Sequence, residues 1–199
     1  MNKIFLLLIC SSILLCKVED LVDVEKTIPG IVLDIKYATK DNFTKQKIYK
    51  SARCFLVKPA AEALKKVQAD LKAKGFQLKL WDCYRPLSAQ KKMWNLVPDE
   101  RYVSNPKNGG RHTRGTTVDC AMLTLDGKEV EMPTGFDDFT EKAHQDYSKL
   151  PKSVLKNKAL LKQTMLKHGF QPLATEWWHF DFKGWQKYEP LDIEFTKIK

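Results

Sequence analysis

At 199 residues the chain is long enough to bury a sizeable core, and its length suits one domain. Its formal net charge of +10 comes from lysines that stand singly, with no arginine-rich run, which argues against a nucleic-acid partner and for a solvated basic surface near an anionic envelope. Five cysteines without a Cys-x-x-Cys spacing exclude an obvious cysteine metal site.

The first stretch reads as a processing signal. Met1-Asn2-Lys3 is a short basic start, and Ile4 to Leu15 is an apolar run interrupted only at Cys10-Ser11-Ser12. The run falls short of the ~20 residues a membrane-spanning helix needs, so no stable membrane span is expected. Residues 1–20 are therefore expected to be a signal peptide, and residues 21–199 a single domain exported to a periplasm or secreted. Ile13 stands three before Cys16 and loosely matches a lipid-attachment site, although Leu14 and Leu15 are bulky for the positions between. The exported part keeps Cys54, Cys83 and Cys120. Three thiols cannot all pair. One pair could form in an oxidising compartment, and the sequence leaves open which.

Ile31 to Ile35 is a short strand candidate rich in β-branched residues. Tyr37 to Tyr49 is polar and reads as a loop. Pro59 to Lys74 predicts a helix: Ala60, Leu64, Val67 and Leu71 fall at helical spacing, Pro59 suits the first turn, and Gly75 stops it. Phe76 to Leu80 alternates as a half-buried strand and delivers Asp82-Cys83-Tyr84-Arg85-Pro86 at its end. Pro86 holds Arg85 extended at a strand end, where site residues cluster. Ser88 to Val97 predicts a helix capped by Ser88. Thr116 to Leu125 predicts a strand, with Asp126-Gly127 as a tight turn and Lys128 to Met132 returning. Pro133 to Ser148 reads as a loop in which His144 is a surface residue. Val154 to Lys167 predicts a helix with Leu155, Leu161, Met165 and Leu166 inward, Gly169 as its stop and His168 in its last turn. Trp178, Phe180 and Phe182 alternate with Trp177, His179 and Asp181, which predicts a strand; the tail after Gly184 is expected to lie on the surface.

Two stretches carry the chemistry. Gly109 to Asp119 holds His112 and Asp119, and Glu176-Trp177-Trp178-His179 holds two more polar groups. A hydrolytic Zn²⁺ takes three protein ligands and leaves one position open, and His112, Asp119 and His179 supply such a set. Glu176 remains as a general base. His112 and Asp119 are seven apart, so on one regular strand they would face opposite ways. A turn at Arg114-Gly115 resolves this, with His112 in a loop and Asp119 on the following strand. Glu176 and His179 have the same parity problem, which predicts Glu176 in a loop and His179 in the strand.

His-x-x-Gly-x-x-x-Asp followed downstream by Glu-x-x-His resembles the zinc D,D-peptidases, whose fold is shared with the Hedgehog signalling domain. The fuller pattern is similar to the D-alanyl-D-alanine dipeptidases: Asp34 to Thr39 with Asp41-Asn42-Phe43, then Trp81 to Pro86, then Arg111 to Gly115, then Glu176 to His179. The four blocks run in order over nearly the whole chain after the first ~20 residues, which is far more specific than any one of them. Two departures are Thr117, where the family has a small Ala, and Cys83, where it has Gly or Ala. Neither is expected to touch a ligand.

The resemblance implies an α+β fold, a small antiparallel sheet flanked by helices with the zinc site at one edge of the sheet. It implies one Zn²⁺ per chain on His112, Asp119 and His179, Glu176 as general base and acid, and Arg85 as stabiliser of the transition-state oxyanion. It further implies free D-alanyl-D-alanine as substrate, in cell-wall peptide turnover. Tyr37, Asp41, Asn42, Phe43 and Asp82 would then enclose the substrate. The competing expectation is a D,D- or L,D-carboxypeptidase of the same fold acting on peptidoglycan stem peptides. A non-catalytic zinc module would not need both Glu176 and Arg85. Nothing in the sequence sets an oligomeric state.

Overall fold

The computed structural model describes residues 20–198. The expected signal peptide and the Cys16 lipid site lie outside the described residues. Among the described residues no helix is long and apolar enough to cross a membrane.

The chain opens with β1 (Leu21–Asp23) and α1 (Val24–Thr27), then β2 (Val32–Leu33), β3 (Phe55–Val57) and α2 (Lys58–Lys72). It continues through β4 (Phe76–Asp82), α3 (Leu87–Leu96), β5 (Thr117–Thr124), α4 (Lys152–Lys167), β6 (Phe170–Leu173) and β7 (Glu176–Phe182). Five strands form a sheet of order β2-β4-β5-β7-β6, and β1 pairs with β3 in a separate ribbon. The α+β expectation is met. The sheet is antiparallel except at β2, which runs parallel to β4. A parallel pair needs a crossover, and the segment carrying β3 and α2 provides it.

One side of the sheet is apolar. Leu78 and Leu80 of β4, Val118, Cys120 and Met122 of β5 and Phe180 of β7 join Leu64, Val67 and Leu71 of α2 and Leu161 and Met165 of α4 in one core. Helix α2 buries the residues its spacing predicts. In α4 the inward row is Val154, Lys158, Leu161 and Met165, while Leu166 is exposed, since one residue turns the side chain by about 100°. Lys158 is tolerated inside because its ammonium donates to the Gln145 and Tyr147 carbonyls.

Three further expectations are corrected. Ser88 does not cap α3: Pro86 is the cap residue, and the Ser88 N–H is taken by the Asp192 carboxylate at 2.8 Å. Lys128 to Met132 is no named strand: it returns along β5 through a Leu123–Glu129 bridge and the hydrogen bonds Thr124 N–H to Lys128 and Val130 N–H to Met122. The tail is not superficial. Leu191, Phe195 and Ile198 are buried, and the Phe195 ring meets Tyr49, Phe55 and Tyr84. Its apolar residues are too widely spaced to reveal a periodic face.

Cys54 and Cys83 form a disulfide, and Cys120 is a buried free thiol.

Candidate active site

The polar side of the sheet is built by register. Asp119 of β5 stands directly opposite His179 of β7, and Thr117 opposite Asp181, so all four project from one face. An extra residue in β4 between Leu80 and Asp82 brings Asp82 opposite Asp119. The ligand set therefore lies at one end of the inner strands β5 and β7, not on an outer strand.

His112 arrives from a 3₁₀ turn, His112–Arg114, closed by Gly115 at φ 66°. Only a residue without a Cβ adopts this left-handed geometry at low cost, and an added Cβ would also lie 2.7 Å from Leu21. The predicted turn is thus where the parity argument requires it. The Glu176 expectation is corrected: it begins β7 instead of lying in a loop. The parity problem is solved by a break in pairing. Pro172 faces Phe180 but Leu173 already faces Glu176, so β7 is irregular between Glu176 and His179 and both side chains turn inward.

His112 Nδ1–H donates to the Cys83 carbonyl at 2.8 Å, which leaves Nε2 facing Asp119 Oδ2 at 3.2 Å. His179 Nε2–H donates to Asp181 Oδ1 at 3.2 Å, which turns Nδ1 towards Asp119 Oδ1 at 3.1 Å. These outer hydrogen bonds select the ring nitrogens that point at the common centre. One donor atom from each of His112, Asp119 and His179 lies within 4.8 Å of the others. Asp119 Oδ1 is buried and receives no well-aligned hydrogen bond, an orphan that a cation would satisfy. Burial acts against charge on His179, but Asp119 and Asp181 outweigh it and push its pKa up to about 10. Burial likewise opposes the Asp119 carboxylate, yet His112 and His179 hold it well below the usual range. The centre favours positive charge among its carboxylates, and the nitrogen–nitrogen–oxygen donor set suits zinc.

Glu176 lies outside this triad, with Oε2 3.5 Å from His179 Nδ1. Burial raises its pKa, helped by the Asp119 charge. A carboxylate beside the ligands with an affinity for protons suits proton transfer.

Arg85 is fixed before any substrate arrives. Its Nε and Nη2 donate to Asp82 Oδ2 at 3.1 and 2.6 Å, and Nη1 donates to Gln90 at 2.7 Å. Asp82 is fully buried and also accepts from the Tyr49 hydroxyl at 2.7 Å. Asp82 therefore holds Arg85 and does not line the cavity.

The face opens into a cavity of ≈90 Å³ whose walls include Tyr37, Arg85, His112, Asp119, Asp137, Glu176 and His179. Tyr37 donates to Asp137 at 3.0 Å. Asp41, Asn42 and Phe43 border a neighbouring cavity of ≈300 Å³. The Asp41 carboxylate faces solvent and pairs with Lys36. The Asn42 amide binds the Lys36, Thr39 and Gln46 carbonyls and so shapes its own loop. Phe43 packs edge-on against Tyr37 and Phe139.

Sequence reasoning missed Gln90 and Asp181; the Gly135 to Phe139 stretch resembles a family loop near the site, but Asp137 within it was not singled out. Asp137 sits at φ 57°, and burial, aided by the Asp119 charge, pushes its pKa well up. Its one sequence signal is the Gly135 to Phe139 stretch of aromatic and acidic residues. Asp181 is held by Thr117 at 2.7 Å and by Arg111. Burial works against its charge, but His179 and Arg111 bring its pKa down to about 2. The two departures from the family pattern lie close by: the Thr117 hydroxyl bonds Asp181 and touches no candidate ligand, while Cys83 meets His112 only through its backbone carbonyl.

The profile of the D-ala-D-ala dipeptidase family matches residues 17–198. The chain belongs to that family. A D-alanyl-D-alanine dipeptidase of Escherichia coli is 36% identical over 177 residues, covering 89% of this chain and 92% of the relative. One from Enterococcus faecalis is 32% identical over 78% and 88%, and one from Streptomyces coelicolor is 32% identical over 82% and 92%. Membership makes the chain a peptidase of a zinc-dependent family, and His112, Asp119 and His179 form a group that could hold a metal ion.

A role for Arg85 at the transition state makes a kinetic prediction. Arg85→Ala is expected to keep zinc and to lower kcat with little change in KM, because the contact forms only as the oxyanion develops. Metal analysis and steady-state kinetics check this. A loss confined to KM would instead place Arg85 on the substrate carboxylate.

Proposed function

We propose that the protein hydrolyses free D-alanyl-D-alanine to two D-alanines, with one Zn²⁺ per chain on His112, Asp119 and His179. The observation that carries this reading is the short cavity with the ligand triad and Glu176 at one part of its wall and the buried Asp137 carboxylate at another. That placement suits a substrate with its peptide bond near Glu176 and its free ammonium at Asp137, one residue away. Asp137, held by Tyr37, is a buried carboxyl whose raised pKa an arriving α-ammonium would bring back down, so the two would pair as ions once substrate is bound. The D-configuration follows from the relatives' names.

When bound, the metal supplies Lewis-acid polarisation of the scissile carbonyl and makes water acidic enough to deprotonate near neutral pH. Glu176 accepts the proton of the attacking water and returns it to the leaving amine nitrogen. Arg85, already oriented by Asp82 and Gln90, donates to the developing oxyanion without reorganising. Asp137 and Tyr37 fix the ammonium end, so the peptide bond is delivered to Glu176 in one register.

The test compares D-alanyl-D-alanine with its N-acetyl form. Acetylation removes the ammonium charge and adds bulk, so kcat/KM is expected to fall by roughly 10-fold or more. Equal turnover of both would favour the carboxypeptidase reading.

We also propose export, with the protein acting on dipeptide released in cell-wall peptide turnover. The basic start and apolar run support this, as does the Cys54–Cys83 disulfide, which persists in oxidising compartments. Amino-terminal sequencing of the protein from its native cells should find a terminus near residue 20. An intact Met1 on a soluble cytoplasmic protein would overturn the proposal.

A further inference from the structure

We infer that the Cys54–Cys83 disulfide is a positioning element of the metal centre, not only a brace for the fold. The inference rests on the zinc-site reading above.

The argument begins with what Cys83 touches. Its carbonyl accepts the His112 Nδ1 hydrogen bond that selects Nε2 as the metal-facing atom. Its N–H donates to Asp82 Oδ1 at 2.9 Å, on the carboxylate that holds Arg85. One peptide segment therefore orients a ligand and, through Asp82, the oxyanion donor. This segment lies just past the end of β4, where sheet pairing has ceased and no ladder fixes the direction of its carbonyl.

Two kinds of tie replace the ladder. Tyr84 N–H bonds the Phe55 carbonyl at 3.0 Å, and Arg85 N–H bonds the His112 carbonyl at 3.1 Å. The disulfide adds the covalent tie from Cys83 to Cys54, the residue preceding β3. The other end of β3 is bonded to the ligand turn, since Val57 N–H donates to the Gly115 carbonyl at 2.8 Å. A closed frame results: Cys83 to Cys54 through sulfur, along β3 to Gly115, through the turn to His112, and from its ring back to Cys83. The β1–β3 ribbon belongs to neither the large sheet nor its register, so without the sulfur link the two sides of the frame meet only through hydrogen bonds and the packing of Phe55 and Tyr84 on Phe195. The Tyr84 N–H tie holds the same peptide plane, so cutting the link loosens the Cα of Cys83 and lets that plane shift relative to the turn, which weakens the single orientation of the His112 ring.

The test uses the full mature chain as Cys54→Ala, which keeps every backbone group of Cys83, beside wild type reduced with a phosphine that does not bind zinc strongly. Three quantities are read: the rate of zinc release to a chelator, kcat and KM on D-alanyl-D-alanine, and Tm. Loss of an outer partner of a ligand typically costs 10–100-fold in metal affinity or activity. Zinc release is expected to be roughly 10-fold faster in both preparations, with kcat lowered and KM little changed. A Tm drop with unchanged zinc release and unchanged kcat would overturn the inference and leave the disulfide a stabiliser only. If Cys54→Ala does not fold, reduced wild type decides between the same two results. Wild type that holds no zinc would instead mark failure of the site reading, so the two failures are distinct.

Discussion

Asp119→Ala is expected to lose zinc and activity together. The carboxylate of Asp119 stands between the two imidazoles of the proposed ligand set, with His112 Nε2 at 3.2 Å and His179 Nδ1 at 3.1 Å. Removing it leaves two imidazoles, an incomplete set for a hydrolytic zinc site. Metal content should fall from about one ion per chain to near zero, while circular dichroism reports whether the sheet survives. Asp119→Asn, which keeps the shape of the side chain, should lose most of the metal as well. Full zinc occupancy in either variant would remove Asp119 from the ligand set.

Glu176→Ala is expected to separate chemistry from metal binding. Zinc and fold should be retained, and kcat should fall by roughly 10²–10⁴-fold, the usual contribution of a general acid–base group. The pH profile of the wild type provides a second reading of the same residue. Burial raises the Glu176 pKa above the ordinary carboxylate value. A base works only when deprotonated, so activity is present above that raised pKa and is lost as pH falls through it. The acid limb of kcat/KM in the loaded enzyme should therefore report the Glu176 carboxylate, set by burial against the pull of the bound cation. The Glu176→Ala variant should lack that limb. A variant that turns over at near the wild-type rate would remove Glu176 as the base, and a metal-free one would make it a ligand.

Much of this site could be read from the residues, because its chemistry needs rare side chains at constrained spacings. His112, Asp119 and His179 converge, and Gly115 provides the turn that the parity argument demanded. Glu176 shows where that reasoning stops. Parity correctly required an irregularity between Glu176 and His179, but a loop and a pairing break inside a strand both satisfy parity. Which one occurs depends on β6, a short strand with a proline, whose pattern is too brief to announce itself. Asp137 and Asp181 escaped for a different reason. Each acts through neighbours distant in the chain, Tyr37 for one and Thr117 and Arg111 for the other, and no local periodicity encodes such pairings. Phe195 was missed likewise, because a lone aromatic in a polar tail is buried only by partners elsewhere. The Cys54–Cys83 pairing needed coordinates, since three thiols leave the choice open.

The most direct measurement of the central claim is D-alanine release by the zinc-loaded mature protein, from free D-alanyl-D-alanine and from a stem pentapeptide ending in the same two residues, side by side. The account predicts rapid release from the free dipeptide and little from the pentapeptide, because Asp137 on the cavity wall would read the ammonium that the pentapeptide lacks at that position. Efficient release from the pentapeptide with slow turnover of the dipeptide would contradict it.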